Sequence, residues 1–259
     1  MSAIADTVIP ILLYHSVNDT PARGQEQFTV TRRAFAEHVA AVRDSGRASL
    51  TVIELAAALR GERPLPPRPV LVTFDDGFAD VRDAVGLLID QGLKATVFVT
   101  TGWLGHPAML THDDVRDLAC EPAAVELGAH TVGHMRLDEL PVADATQEIV
   151  ASRRDLERVA GVPVRSFAYP HGSYDRRVRT AVIDAGFGAA VGVKNALSHR
   201  DDDPFALARM TITAATTTEQ VRALLGGAGA PRARDRERAR TRGYRSVRRL
   251  RRRIGWAVR

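Results

Sequence analysis

Two adjacent carboxylates and two closely spaced histidines are the residues of this chain best suited to chemistry, and each pair follows directly on a short apolar run. Asp75 and Asp76 come after Val70-Leu71-Val72-Thr73-Phe74 and are followed by Gly77. Side chains alternate across a strand, so neighbouring acids face different ways unless the chain turns, and Gly77 permits a turn. The two acids then have separate jobs at one site, or Asp76 caps the helix that follows. His130 and His134 come after Val125-Glu126-Leu127-Gly128-Ala129. Imidazoles four residues apart converge on one metal ion when the segment turns, and neutral His is the commonest metal ligand. Asp76, His130 and His134 make three N/O ligands, a set that suits Zn²⁺ and leaves positions open for water and substrate, as catalytic zinc sites do. Non-haem Fe(II) accepts the same set, so the ligands do not fix the metal, with zinc the first expectation.

A third place is Phe167-Ala168-Tyr169-Pro170-His171-Gly172-Ser173-Tyr174-Asp175. An apolar strand ending in a rigid Pro and a permissive Gly presents backbone N–H groups, that of His171 among them, to an anionic oxygen, or it is an ordinary strand-to-helix turn.

The elements that must position these residues alternate. Short apolar runs predict strands at 9–14, 70–74, 96–100, 125–129, 166–169, 188–193 and 208–212. Segments of helical period lie at 32–45, 52–60, 79–91, 112–119, 143–160, 175–185 and 217–225, with capping boxes at Thr51/Glu54 and Thr111/Asp114. Strand–helix alternation of this kind predicts an α/β fold, a parallel sheet of about seven strands that fits a distorted (β/α) barrel better than an open sheet. In either arrangement ligands gather at the carboxyl ends of the strands, where all three places fall.

Taken together, Thr-Phe-Asp-Asp-Gly, His-Thr-Val-Gly-His and Phe-Ala-Tyr-Pro-His-Gly-Ser-Tyr-Asp resemble the polysaccharide deacetylases, the NodB-homology family of carbohydrate esterases that N-deacetylate chitooligosaccharide, chitin and peptidoglycan. The resemblance spans roughly residues 8 to 225 and implies a distorted (β/α) barrel. It implies a metal-dependent hydrolase of a carbon–nitrogen bond that frees acetate from an N-acetylhexosamine glycan. By motif position it makes Asp75 the catalytic base and Asp76, His130 and His134 the metal ligands, with Tyr169, Pro170 and His171 against the substrate oxyanion.

This sequence departs from the family pattern in two ways. Many members carry an Arg at the position of Ala168 and a Tyr at that of His171; the Phe-Ala-Tyr-Pro form is similar to a branch that includes poly-N-acetylglucosamine deacetylases. Many also carry a late Leu-x-His that supplies the acid, whereas this chain reads Ala208-Arg209-Met210-Thr211-Ile212. In the branch it resembles, the acid histidine comes from an N-terminal motif, here His15 after Ile11-Leu12-Leu13-Tyr14. The bland reading is that His15 only satisfies a strand end. Arg209 is either a replacement for the missing guanidinium, pairing with Asp75, or an ordinary surface or helix-pairing arginine. The same two departures leave open a catalytically inactive carbohydrate-binding domain.

Charge separates the chain into a body and a tail. Residues 227–259 hold 13 Arg against Asp235 and Glu237, a net of +11 against +5 for the whole chain, so residues 1–226 carry −6. An acidic body without a recognisable reading motif disfavours nucleic acid as a partner. Residues 1–226 therefore read as the deacetylase-like domain, with Gly226 to Pro231 as a linker. The Arg-rich remainder is a flexible extension, or an amphipathic helix through Tyr244, Val247, Leu250, Ile254 and Val258 that lies on an anionic membrane. Cys120, the only cysteine, is expected in the core, and His38, His106, His112 and His199 are expected at the surface. Without a signal peptide pattern or a run of about 20 apolar residues, the expected location is the cytoplasm, peripheral at the membrane if the tail binds there.

Overall fold

The computed structural model describes residues 8–233. Seven parallel strands close into a barrel: β1 Ile11–Tyr14, β2 Pro69–Phe74, β3 Ala95–Val99, β4 Val125–Ala129, β5 Ser166–Ala168, β6 Ala189–Val193 and β7 Leu207–Thr211. Going round, β1 pairs with β2 on one side, through Tyr14 opposite Phe74, and with β7 on the other, through Leu13 opposite Thr211. First and last strands are thus neighbours, and either end of the chain reaches the same mouth.

Among the described residues there are seven α-helices: α1 Arg32–Asp44, α2 Val52–Leu59, α3 Val81–Asp90, α4 His112–Ala119, α5 Val142–Ala160, α6 Arg176–Asp184 and α7 Thr218–Leu225. Both expected capping boxes form, and a third, Thr217 with Gln220, starts α7. Helix α5 ends where Gly161 takes φ +69°, a conformation that costs glycine nothing.

Strand side chains sort by alternation into two buried layers. Ile11, Leu71, Phe98, Ala168, Val191 and Leu207 fill the barrel together with Leu50, Val52, Leu55 and Ala56, so α2 plugs one end. The other faces pack under the outer helices, where Tyr14, Phe35 and Phe74 meet, Tyr14 and Phe35 edge-on at 5.1 Å. Such a pair adds about 0.5–1.5 kcal/mol beyond its buried area.

Several expectations need correction. The run 9–14 is two strands, because Pro10 has no N–H to give a ladder: Val8–Ile9 pairs antiparallel with Ser198–His199, and β1 begins after it. Cys120 is exposed, at the C-cap of α4, where a helix end meets solvent. His38 is buried, and its Nδ1 lies 3.2 Å from the Tyr14 hydroxyl. His199 is partly buried, with Nε2 3.0 Å from Asp202.

Residues 227–233 stay on the body, where Leu197 donates its N–H to Pro231 and Ala233 donates to Leu197. The amphipathic reading of the tail concerns residues 234–259, outside the described residues. Among the described residues no helix is long and apolar enough to cross a membrane.

Candidate metal and catalytic site at the barrel mouth

The carboxyl end of β2 supplies both acids. Asp75 continues the inward alternation of Thr73 and is 2% exposed. Asp76 would face outward, but it takes φ +73° and Gly77 φ +86°, and this left-handed turn swings the second carboxylate back over the mouth. The helix after it starts at Asp80, so Asp76 caps nothing.

β4 supplies the histidines. The His130 N–H donates to Val99, which carries the ladder one residue past the strand. The His130 ring Nδ1 lies 2.8 Å from the Ala168 carbonyl, an acceptor only, so in the neutral ring the proton sits there and Nε2 keeps its lone pair. Thr131 at φ +66° and His134 at φ +56° then fold the loop back, and the His134 N–H donates to Thr131 Oγ1 at 2.9 Å. The two imidazole centroids come to 4.9 Å apart.

These turns converge on one oxygen. Asp76 Oδ1 lies 3.4 Å from His130 Nε2 and 3.2 Å from His134 Nε2, is buried, and has no hydrogen-bond partner among the described residues. One ligand atom from each of Asp76, His130 and His134 lies within 4.8 Å of the others. An orphaned buried carboxylate oxygen facing two imidazole nitrogens is what a divalent cation would satisfy, so the residues present fit a metal.

The electrostatics agree. Burial raises the Asp76 carboxyl, but the His130 imidazole beside it and the charges of His15 and His134 outweigh this and bring it to about 2. Burial and the neighbouring His130 push His134 down to about 4, so it is neutral at neutral pH. His130 is pushed down by burial and up, by more, by Asp75 and Asp76. A positive charge is therefore favoured at this point.

Asp75 has a different environment. Arg209 reaches in from β7, wholly buried, and grips both of its oxygens, Nη1 to Oδ1 at 2.6 Å and Nη2 to Oδ2 at 2.7 Å. Arg209 also donates to Thr73 Oγ1 and the Gly192 carbonyl, and its guanidinium carbon lies 5.4 Å from the Phe98 ring centroid. Burial alone raises Asp75, yet Arg209 and then His130 hold it below the usual carboxylate range. Of the two readings of Arg209, the surface one is excluded, since the side chain is enclosed by the barrel.

His15 follows β1 at the same mouth, its ring 5.0 Å from that of Phe28 and its Nδ1 buried without a hydrogen-bond partner among the described residues. Burial lowers its pKa, while Asp75 and Asp76 act on it in the opposite sense, which places it in their field. Asp80 fixes the segment after it, accepting from Ser16 Oγ at 2.6 Å and the Val17 N–H at 3.1 Å.

The third loop contributes unevenly. The Tyr169 hydroxyl is used by the Phe205 carbonyl and its ring stacks on Tyr174, and Pro170 is buried, but the His171 ring packs 4.5 Å from His134. Gly172 takes φ +64° with Val193 N only 2.6 Å from where a Cβ would sit, so the turn admits no side chain there.

Sequence reasoning missed Asp80, Trp103, Thr131 and Glu148. Trp103 lies 5.2 Å from His134, and Glu148 Oε2 accepts the N–H groups of Val132 and Gly133 at 2.9 and 2.8 Å. Asp80 and Thr131 sit beside motif residues and had a signal in that proximity. Glu148 is one of several acids on a helix and had none.

Residues 62–190 match the family described as polysaccharide deacetylase. This chain belongs to the polysaccharide deacetylase family. Members of this deacetylase family are hydrolases of carbon–nitrogen bonds. The deacetylase chain is 31% identical over 196 residues to the uncharacterized protein SCO4760 of Streptomyces coelicolor, covering 73% of this chain and 70% of that one. It is 28% identical over 134 residues to the poly-beta-1,6-N-acetyl-D-glucosamine N-deacetylase of Escherichia coli, which is 46% of this chain and 20% of that protein. In fold it superposes with TM-score 0.74 on the Streptococcus pyogenes deacetylase PplD in complex with acetate, at 24% identity over 83% of this chain and 96% of the other.

Proposed function

We propose that this deacetylase removes the acetyl group from N-acetylhexosamine units of a glycan or glycoconjugate and releases acetate, with a divalent metal, zinc first, on Asp76, His130 and His134. The observation that carries the reading is the unpartnered Asp76 oxygen between two imidazole nitrogens, beside a second carboxylate clamped by arginine. When bound at such a site, a divalent ion would lower the pKa of water to about 7 and polarise a carbonyl oxygen.

In this reading Asp75 is the base. Arg209 keeps it ionised and fixes its plane, so it accepts a proton from the attacking water without first losing one. Arg209 thereby supplies the guanidinium that Ala168 lacks. On the turn after Tyr169 and Pro170, the His171 backbone N–H is offered to the oxyanion as the carbonyl carbon becomes tetrahedral; Pro170 has no N–H and that of Tyr169 is held by the Val191 carbonyl. His15 in its protonated form, which burial opposes and the charges of Asp75 and Asp76 favour, donates to the departing nitrogen, since an amine leaves poorly unless protonated, and general acid–base catalysis of this kind is worth roughly 10²–10⁴ in rate. An imidazole at His15 and a guanidinium at Arg209 answer both departures that favoured a non-catalytic carbohydrate-binding domain. The relation to a poly-N-acetylglucosamine deacetylase supports N-acetylglucosamine as the sugar to try first.

Zinc-loaded protein incubated with N-acetylhexosamine compounds, from free sugars to polymers, is expected to release acetate from at least one. Asp75→Asn is expected to keep its zinc and lose turnover, His134→Ala to lose zinc as well, and His15→Ala to keep zinc and slow by about 10²–10⁴-fold. Acetate release undiminished in Asp75→Asn would end the assignment.

A further inference from the structure

We infer that Glu148 is a positioning residue that sets the metal affinity of the Asp76–His130–His134 site by holding the 130–134 loop in its working shape; this rests on the metal reading above. The two histidines are held by different means. His130 is fixed by the barrel through its N–H to Val99 and its ring to Ala168. His134 lies on no strand, and it reaches Asp76 only because Thr131 and His134 both adopt left-handed backbone. A β-branched residue rarely accepts that conformation, so the loop needs external ties to keep it.

Some ties come from the neighbouring turn. Thr101 and Gly102 donate their N–H groups to the carbonyls of Thr131 and Val132 at 3.1 and 3.0 Å, an approach so close that a Cβ on Gly102 would lie 2.5 Å from the Val132 oxygen. Those ties secure carbonyls, on one side of the loop. On the other side the consecutive N–H groups of Val132 and Gly133 converge on a single oxygen, Glu148 Oε2. Successive N–H groups pointing into one concavity form an anion-binding nest, and a carboxylate is the strongest side-chain acceptor for it. Glu148 stands on the second turn of α5, a 19-residue helix packed against β4 and against the turn that carries Thr101 and Gly102. The acceptor is therefore fixed to the same scaffold that fixes His130, and the loop is braced between them.

Removing the acceptor returns two N–H groups to water and leaves the left-handed turn without its brace, so His134 is in ligating position for a smaller share of the time. Affinity for metal falls by that share, while the apo fold, whose apolar core clusters include none of residues 130–134, stays. The test is zinc binding by the metal-stripped full chain, in competition with a chromophoric chelator, with the apo thermal midpoint measured in parallel.

Glu148→Ala is expected to weaken zinc binding by about 10–100-fold, the range for supporting partners of metal ligands. Glu148→Gln keeps an oxygen for both N–H groups and is expected to bind within about threefold of wild type. Glu148→Asp, whose acceptor is withdrawn by one methylene, is expected in between, and it serves if the alanine variant does not fold. Equal zinc affinity in Glu148→Ala or Glu148→Asp and wild type would overturn the inference, as would a glutamine variant as weak as the alanine one. A wild-type chain that takes up no zinc would instead contradict the metal site itself.

Discussion

In the proposed reading, the chemistry of this deacetylase depends on two carboxylates that share a peptide bond and little else. Asp75 is gripped by a buried arginine and Asp76 is left with an open oxygen, and the difference comes from one left-handed residue. The Asp75–Arg209 pair predicts a measurable response. Arg209→Met leaves a buried carboxylate unpaired, which costs about 3–5 kcal/mol of stability. The sign with pH follows from the depressed carboxyl: the pair stabilises fully above the ordinary carboxylate value near 3.8 and its contribution is lost as pH falls through the lower folded value. With the guanidinium gone, burial raises Asp75, so the acid limb of kcat/KM is expected to move to higher pH. A variant with the wild-type acid limb and unfolding midpoint would remove Arg209 from this role. The acids and histidines were legible in the sequence because motif and spacing sit within a few residues. The pairing of Arg209 with Asp75 was only one of the readings open to the sequence, because the two lie 134 positions apart and meet only once the barrel closes.

Elements place these residues, and the barrel floor is as specific as its mouth. Helix α2 enters from below with Leu55 in the interior cluster, while the Val52 and Ile53 N–H groups at its start donate to Thr96 Oγ1 and to Glu126. The helix N-terminus is thus satisfied by side chains of β3 and β4. Leu55→Ala is expected to cost about 2–5 kcal/mol in urea unfolding without changing zinc content. A change below 1 kcal/mol would mean that α2 is not a plug. All seven barrel strands and seven helices could be read from periodicity, since long apolar or amphipathic runs with clear caps override local noise. What escaped were features set by single positions. His38 shares the inward face of α1 with Phe35, Val39 and Val42, a spacing that signals burial once identity is set aside. Cys120 reads as apolar by type but ends a helix at the surface.

Across the whole molecule, strand order brings the first and last strands together, so His15 and Arg209 sit on either side of one seam, β1 against β7. The function proposed here, split between motifs at 15, 75, 130 and 209, therefore needs no long loops. The division of charge is the other property at this scale: an acidic body carries an Arg-rich end, which we read as a peripheral contact for an anionic surface. The full chain is expected to sediment with vesicles containing anionic lipid, less so at high salt, while residues 1–233 do not; equal sedimentation would leave the tail without that role. The central claim, a hydrolytic site built on three ligands and a clamped base, is tested most directly by acetate release from an N-acetylglucosamine oligomer before and after metal removal. Stripped protein is expected to release none, and stoichiometric zinc to restore the release. Undiminished acetate release from fully stripped protein would contradict the claim.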